Sequence, residues 1–140
     1  MSKTKIYLAG AMGGLTLKQC NEWREYVANK LSDSSVFTFN PNTYYPVNDI
    51  YTKEEEREAM RFDLHYLRQS DIVIVNFAHN IESIGTNMEI AIAYDRDIPI
   101  IGYVPEQNMA HVHPWQKNMC NIIFIDLDDL IEYVKAYYIN

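Results

Sequence analysis

At 140 residues, 48% of them hydrophobic, the chain is long enough to bury one substantial core, and its net charge of −7 argues against a nucleic-acid partner, whose phosphates need Lys and Arg. No apolar run approaches the ~20 residues of a membrane span, and residues 1–5 lead straight into a strand without a secretory apolar region, so one cytoplasmic domain over residues 1–140 is expected. Cys20 and Cys120 stand alone, in no metal or redox spacing, and read as reduced packing residues.

Five apolar runs, at residues 5–9, 36–40, 71–77, 98–104 and 122–125, alternate with stretches of helical spacing. The first run enters a loop, Gly10-Ala11-Met12-Gly13-Gly14, and a helix over about 16–31 follows, with Cys20, Trp23, Val27, Ala28 and Leu31 along one face. A second helix starts after Thr52, whose spacing to Glu55 spells a capping box, and runs to about Arg68. Its apolar side carries Ala59, Met60, Phe62, Leu64 and Leu67. Asp71 opens the third strand and reads as a residue holding neighbouring backbone. The third helix follows Thr86, where Thr86-x-x-Glu89 spells another capping box. Residues 105–119 form a long loop with room for one short helix, and a last helix from Asp126 buries Leu127, Leu130, Ile131, Val134 and Tyr138.

Strands alternating with helices imply a parallel sheet covered on both faces by right-handed crossovers, and the continuous runs at 72–75 and 98–101 suit central strands. The expected fold is α/β, a flavodoxin-like or Rossmann-like three-layer sandwich with a five-stranded parallel sheet in the order 2-1-3-4-5. Its switch point lies between the first and third strands, which brings the loop after Ala9 beside the loop after Phe77, where such sheets hold ligands.

Two acids converge on that cleft. Glu89, early in its helix, should stay ionised in the positive field of the helix end, as a nucleophile requires. Asp63 reads either as a solvated helical acid or as its acid/base partner. Tyr7 is a core tyrosine with a partnered hydroxyl or the group that positions Glu89. The Gly10–Gly14 loop is a tight turn or a ligand cradle; it is neither a dinucleotide fingerprint nor a P-loop. His111-x-His113 lacks a third metal ligand, so His111, His113, Trp115 and Gln116 read as a binding rim or a subunit contact.

Taken together, Lys5-Ile6-Tyr7-Leu8-Ala9-Gly10, Asp63 ahead of Asp71, and Ser83-x-Gly85-Thr86-x-x-Glu89-x-x-x-Ala93 resemble the nucleoside 2-deoxyribosyltransferase family, over residues 5 to 104. The family includes related 2′-deoxynucleoside 5′-monophosphate N-hydrolases. The resemblance implies homo-oligomers with shared active sites, no cofactor and no metal, and a deoxynucleoside or deoxynucleotide as the small-molecule partner. It assigns Glu89 as nucleophile on C1′ of the sugar, Tyr7 as the residue that orients it, and Asp63 as the group that handles the proton of the base. Substrate contacts are implied for Gly10, Ala11, Met12, Gly13, Ser83, Gly85, Thr86, Met88 and His113.

Ser83 departs from the transferases, which carry an aspartate there, and matches the hydrolases, which use the serine on the phosphate. Ala11, Met12 and Gly13 nonetheless lack the serine and arginine that the hydrolases place in the first loop; His113 or Gln116 of a neighbouring subunit is a candidate replacement. The expected activity is therefore cleavage of an N-glycosidic bond, by transfer or by hydrolysis. Two other classes are carried: a nucleotide sensor without turnover, and a scaffold assembled through Tyr44, Tyr45, Tyr51, Tyr137 and Tyr138.

Overall fold

The strands lie where continuous apolar runs met covering helices on both sides. The computed structural model describes residues 3–44, 53–79 and 81–139. Strands β1 (Thr4–Gly10), β2 (Val36–Phe39), β3 (Ile72–Asn76), β4 (Ile100–Tyr103) and β5 (Ile122–Phe124) form one sheet in the order β2-β1-β3-β4-β5, with every pairing parallel. Helices α1 (Leu17–Lys30), α2 (Lys53–Arg68), α3 (Ile84–Asp95), α4 (Pro114–Met119) and α5 (Leu127–Tyr138) flank it. The α/β architecture and strand order are those expected.

Side chains alternate along each strand, so the sheet separates two cores. Ile6 and Leu8 of β1 join Ile72 and Ile74 of β3 against Val27, Leu130 and Val134 of α1 and α5. Tyr7, Ala9, Val73 and Val75 pack on the other side, with Leu67 of α2 and Ile90 and Ala93 of α3. All five residues of β3 are buried, which is why its sequence shows no polar alternation. Asp71 performs the backbone role expected: its Oδ2 accepts from the Lys5 N–H at 2.7 Å, joining the starts of β3 and β1.

Thr16 begins α1 with a capping box, its Oγ1 accepting from the Gln19 N–H and the Gln19 side chain accepting from the Thr16 N–H. The buried face of α1 holds Cys20, Trp23 and Val27, with Leu31 just beyond its end, but Arg24 joins them and Ala28 is only partly buried. On α2, Leu67 is buried and Ala59, Phe62 and Leu64 partly so, whereas Met60 is 54% exposed. Thr52 and its capping box lie outside the described residues, as do Tyr45 and Tyr51. The segment after β4 holds two short helices, a 3-10 turn over Glu106–His111 and then α4, where one was expected. Among the described residues no helix is long and apolar enough to cross a membrane.

Candidate functional site

Alternation along β1 sends Tyr7 to the α2/α3 side, where its hydroxyl donates to Oε2 of Glu89. The Tyr7 ring stacks on Phe39 of β2 at 5.2 Å and is fully buried, so the hydroxyl is aimed by packing. Glu89 lies on the matching face of α3. Its carboxyl is pushed up to about 7, chiefly by burial; the Tyr7 hydroxyl pulls it down, Asp63 raises it and Arg24 lowers it.

That state corrects the expectation of a carboxylate kept ionised by the helix end. The box at Thr86 is not the helix start: Ser83 is the N-cap, and its Oγ accepts from the Thr86 N–H at 3.5 Å. Glu89 consequently falls in the second turn, past the reach of the helix-end field, and burial decides its proton affinity. A carboxyl with a pKa near 7 is half ionised at neutral pH, and its proton leaves as pH rises. If the carboxylate is the working form, activity climbs through pH 7. Tyr7→Phe removes a hydroxyl that favours the carboxylate, so the rising limb of log kcat/KM should move to higher pH and the rate at neutral pH should fall about tenfold or more. A limb that stays in place in Tyr7→Phe would detach the hydroxyl from the ionisation of Glu89.

Asp63 projects from α2 into the same electrostatic neighbourhood, partly buried and within reach of both Glu89 and Arg24. An aromatic wall flanks it. Phe39 stacks on Tyr66 at 4.6 Å and on Tyr44 at 5.1 Å, and Phe62 packs against both Phe39 and Tyr66. Tyr44 is thus part of this wall and 47% exposed, a flat surface of the kind an aromatic heterocycle stacks on.

Arg24 was not anticipated. Its side chain is 1% exposed, and its guanidinium donates to the carbonyls of Leu8, Gly10 and Cys20 at 3.2, 3.0 and 2.6 Å. Burial lowers its pKa, while Glu89 foremost, then Cys20, Tyr7 and Asp63, act to raise it. A fixed cation therefore lies at the carboxyl end of β1, within the field of both candidate acids. The signal was present in the spacing: Cys20, Arg24, Val27 and Leu31 fall on one helical stripe, and an arginine on a buried stripe needs acceptors.

The first loop has mixed roles. A Cβ on Gly10 would sit 2.9 Å from the Trp23 ring, so glycine is required there for packing, and Gly14 has φ +78°, the left-handed turn. The Met12 carbonyl accepts from the Leu15 N–H, Ala11 is buried and Gly13 is exposed. The free N–H groups at the start of α1 are partly satisfied by its own capping box. Ser83, Gly85 and Thr86 form the first turn of α3, with Thr86 buried.

Two anticipated contacts are not brought to Glu89 within one chain. Met88 is 62% exposed on the outside of α3. His113 caps α4, its Nδ1 accepting from the Trp115 N–H, and lines a groove whose α3 wall is Asn87, Ile90 and Ala91, a face turned away from Glu89. Gln116 is spent: its amide donates to the Ile81 carbonyl and Asn87 Oδ1 and accepts from the His113 N–H. Among the described residues no group of three or more His, Cys, Asp or Glu side chains is placed to hold a metal ion.

Residues 3–107 match the family model described as nucleoside 2-deoxyribosyltransferase like. Among solved structures, a 2-deoxyribosyltransferase from Bacillus psychrosaccharolyticus superposes with a TM-score of 0.75 at 22% identity, covering 92% of this chain and 91% of that one. A conserved protein from Enterococcus faecalis V583 superposes at 0.73 and 16% identity, covering 96% and 99% of the two chains. A CMP N-glycosidase from Clostridium botulinum gives 0.59 at 15% identity, covering 95% and 98%. No curated protein sequence matches the chain.

Proposed function

We propose, from the premise that the chain belongs to the nucleoside 2-deoxyribosyltransferase-like family, that it cleaves the N-glycosidic bond of a 2′-deoxynucleoside or its 5′-monophosphate. The observation that carries this reading is the partly buried Glu89, its carboxyl held by the Tyr7 hydroxyl, with Asp63 in its field. The Glu89 carboxylate attacks C1′ as the bond from C1′ to the base nitrogen breaks, and the electron pair of that bond leaves with the base. Asp63 delivers the proton that the departing nitrogen needs. The glycosyl ester on Glu89 is then opened at C1′ by a second base, giving transfer, or by water, giving hydrolysis; Asp63 takes up the proton released by the attacking group. Arg24 and the Tyr7 hydroxyl favour the ionised form of Glu89 against its burial.

Ser83 favours the hydrolysis of 5′-monophosphates as a second reading. A neutral hydroxyl at the first turn of α3 tolerates a phosphate that an aspartate would repel. A homo-oligomer belongs to the same proposal. Ile84 and Met88 of α3, with Trp115 beside it, are 72%, 62% and 72% exposed, as suits a surface covered by a second copy.

The test is a product assay. Deoxynucleosides and their 5′-monophosphates are incubated with and without a second free base, and the products resolved by chromatography. A new nucleoside marks transfer; free sugar or sugar phosphate marks hydrolysis; ligand retention without any released base sinks the proposal in favour of a sensor. In the same assay Ser83→Asp should shift preference from nucleotide toward nucleoside by about tenfold, the scale of one lost charge-assisted hydrogen bond. Unchanged selectivity would remove Ser83 from phosphate recognition.

A further inference from the structure

The α1/α5 side of the sheet carries a cleft that the Glu89 chemistry does not use. Asn76 and Tyr103 pair across the carboxyl ends of β3 and β4, and alternation turns both side chains to this side, opposite Tyr7. With Trp23 and Tyr26 of α1 and the start of α5 they line a space of about 560 Å³, the size of a small-molecule site and at the strand ends where such folds bind ligands.

Asn76 gives the cleft its most specific demand. The residue is 6% exposed, and its Oδ1 accepts from the Ala78 N–H at 2.7 Å, which fixes the orientation of the amide. Its Nδ2 has no acceptor among the described residues and is left as a free donor on the wall of the cleft, held in place by the bond its Oδ1 makes. A ligand atom with a lone pair would satisfy it.

The rest of the lining limits what that ligand is. Lys30 lies over the Tyr26 ring at 5.6 Å and Arg24 over Trp23 at 4.8 Å, which leaves the partly exposed Tyr103 as the stacking surface. At the mouth stand three exposed carboxylates. Asp126 caps α5 through the Asp129 N–H, Asp128 accepts from the Tyr26 hydroxyl, and Glu22 projects from α1. Glu22 pairs with Lys18 at 3.9 Å, and among the described lining residues His79 is the one basic side chain against Asp126 and Asp128, so the mouth disfavours a phosphate and favours a hydrogen-bond donor.

We propose that this cleft is a second binding site, for a planar heterocycle bearing an exocyclic amino group, taken as the free base or its nucleoside and not as a nucleotide. The ring stacks on Tyr103, a ring nitrogen or carbonyl accepts from Asn76 Nδ2, and the amino group donates to the carboxylates at the mouth. Such a site stands whether or not Glu89 turns over a substrate.

The experiment titrates ¹⁵N-labelled protein with adenine, cytosine, hypoxanthine, uracil and spermidine, following the indole N–H of Trp23, identified by the loss of the other indole signal in Trp115→Phe. Adenine or cytosine should give a saturable shift, with binding of hypoxanthine and uracil about tenfold weaker or more. Asn76→Asp keeps the acceptor for Ala78 and removes the donor, and Asp128→Asn removes a charge at the exposed mouth; each should weaken binding about tenfold, while Glu89→Gln leaves it unchanged. No saturation by either aminated base, equal binding of the deaminated bases, or equal binding of spermidine overturns the proposal. So does an unaltered affinity in Asp128→Asn, or loss of the shift in Glu89→Gln, which would place the signal in the other cleft.

Discussion

Replacing Glu89 with alanine or glutamine should reduce release of free base from a deoxynucleoside or its 5′-monophosphate by about 10⁴-fold or more, the scale on which a covalent nucleophile is lost. Glutamine makes the sharper variant, because it keeps the shape of the side chain and can still accept from the Tyr7 hydroxyl. It also separates chemistry from stability. In the folded protein the carboxyl holds its proton up to about pH 7, against an ordinary value of 4.5. Between those two values the folded state binds the proton more tightly than the unfolded chain, so stability is fully present below pH 4.5 and is lost as pH rises through 7. The loss amounts to about 3 kcal/mol. Glu89→Gln, inactive at every pH, should therefore melt at a higher temperature than the parent at pH 8 and almost together with it at pH 5. Chromatographic product analysis and paired thermal melts check both parts. Turnover retained by the glutamine variant would show that this carboxylate is not the nucleophile; equal melting at both pH values would show that its ionisation costs the fold nothing.

The sheet was legible in the sequence because central parallel strands must be apolar on both faces, and the runs at 71–77 and 98–104 have no other reading as good. Alternation of elements implies only a parallel sheet; the order 2-1-3-4-5 is the expectation of a flavodoxin-like fold, which the sheet shows, and its switch point lies beside Tyr7 and Glu89. The start of α3 is ambiguous in the sequence, because Ser83 and Thr86 are both residues that cap helices and local spacing does not rank them. That three-residue offset puts Glu89 outside the first turn, and its proton affinity is not legible in the sequence, since burial is a property of the assembled layers. The segment after β4 has room for one short helix by its sequence, but the start of α4 is not marked there by a usual cap, since its N-cap is His113; Pro114 at the first helical position is the signal that locates it. Arg24 is not readily legible in the sequence for a simpler reason. A basic residue on a surface helix is ordinarily taken as solvated, and only the carbonyls of Leu8 and Gly10, brought in from β1, show why this one is inside.

Arg24→Met should lower stability by about 3 kcal/mol, enough to bring the melting temperature down by roughly 10 °C. Methionine fills much of the volume but donates nothing, so the three carbonyls at the carboxyl end of β1 and in α1 lose their guanidinium partner inside the protein. The electrostatic consequence is as telling as the stability. Arg24 acts to lower the Glu89 pKa, so its removal leaves Glu89 in the field of Asp63 without the cation that opposes it. Glu89 should then hold its proton to a higher pH, and the rising limb of log kcat/KM should move upward, in the same direction as in Tyr7→Phe. Arg24→Lys distinguishes the two contributions. It keeps the positive charge, so the limb should stay closer to that of the parent, but a single ammonium cannot span the three carbonyls that the planar guanidinium bridges, so the loss of stability should persist in large part. Thermal melts give one readout and the pH profile of base release the other. A methionine variant that melts with the parent would remove Arg24 from the framework of the loop, and one whose limb does not move would remove it from the ionisation of Glu89.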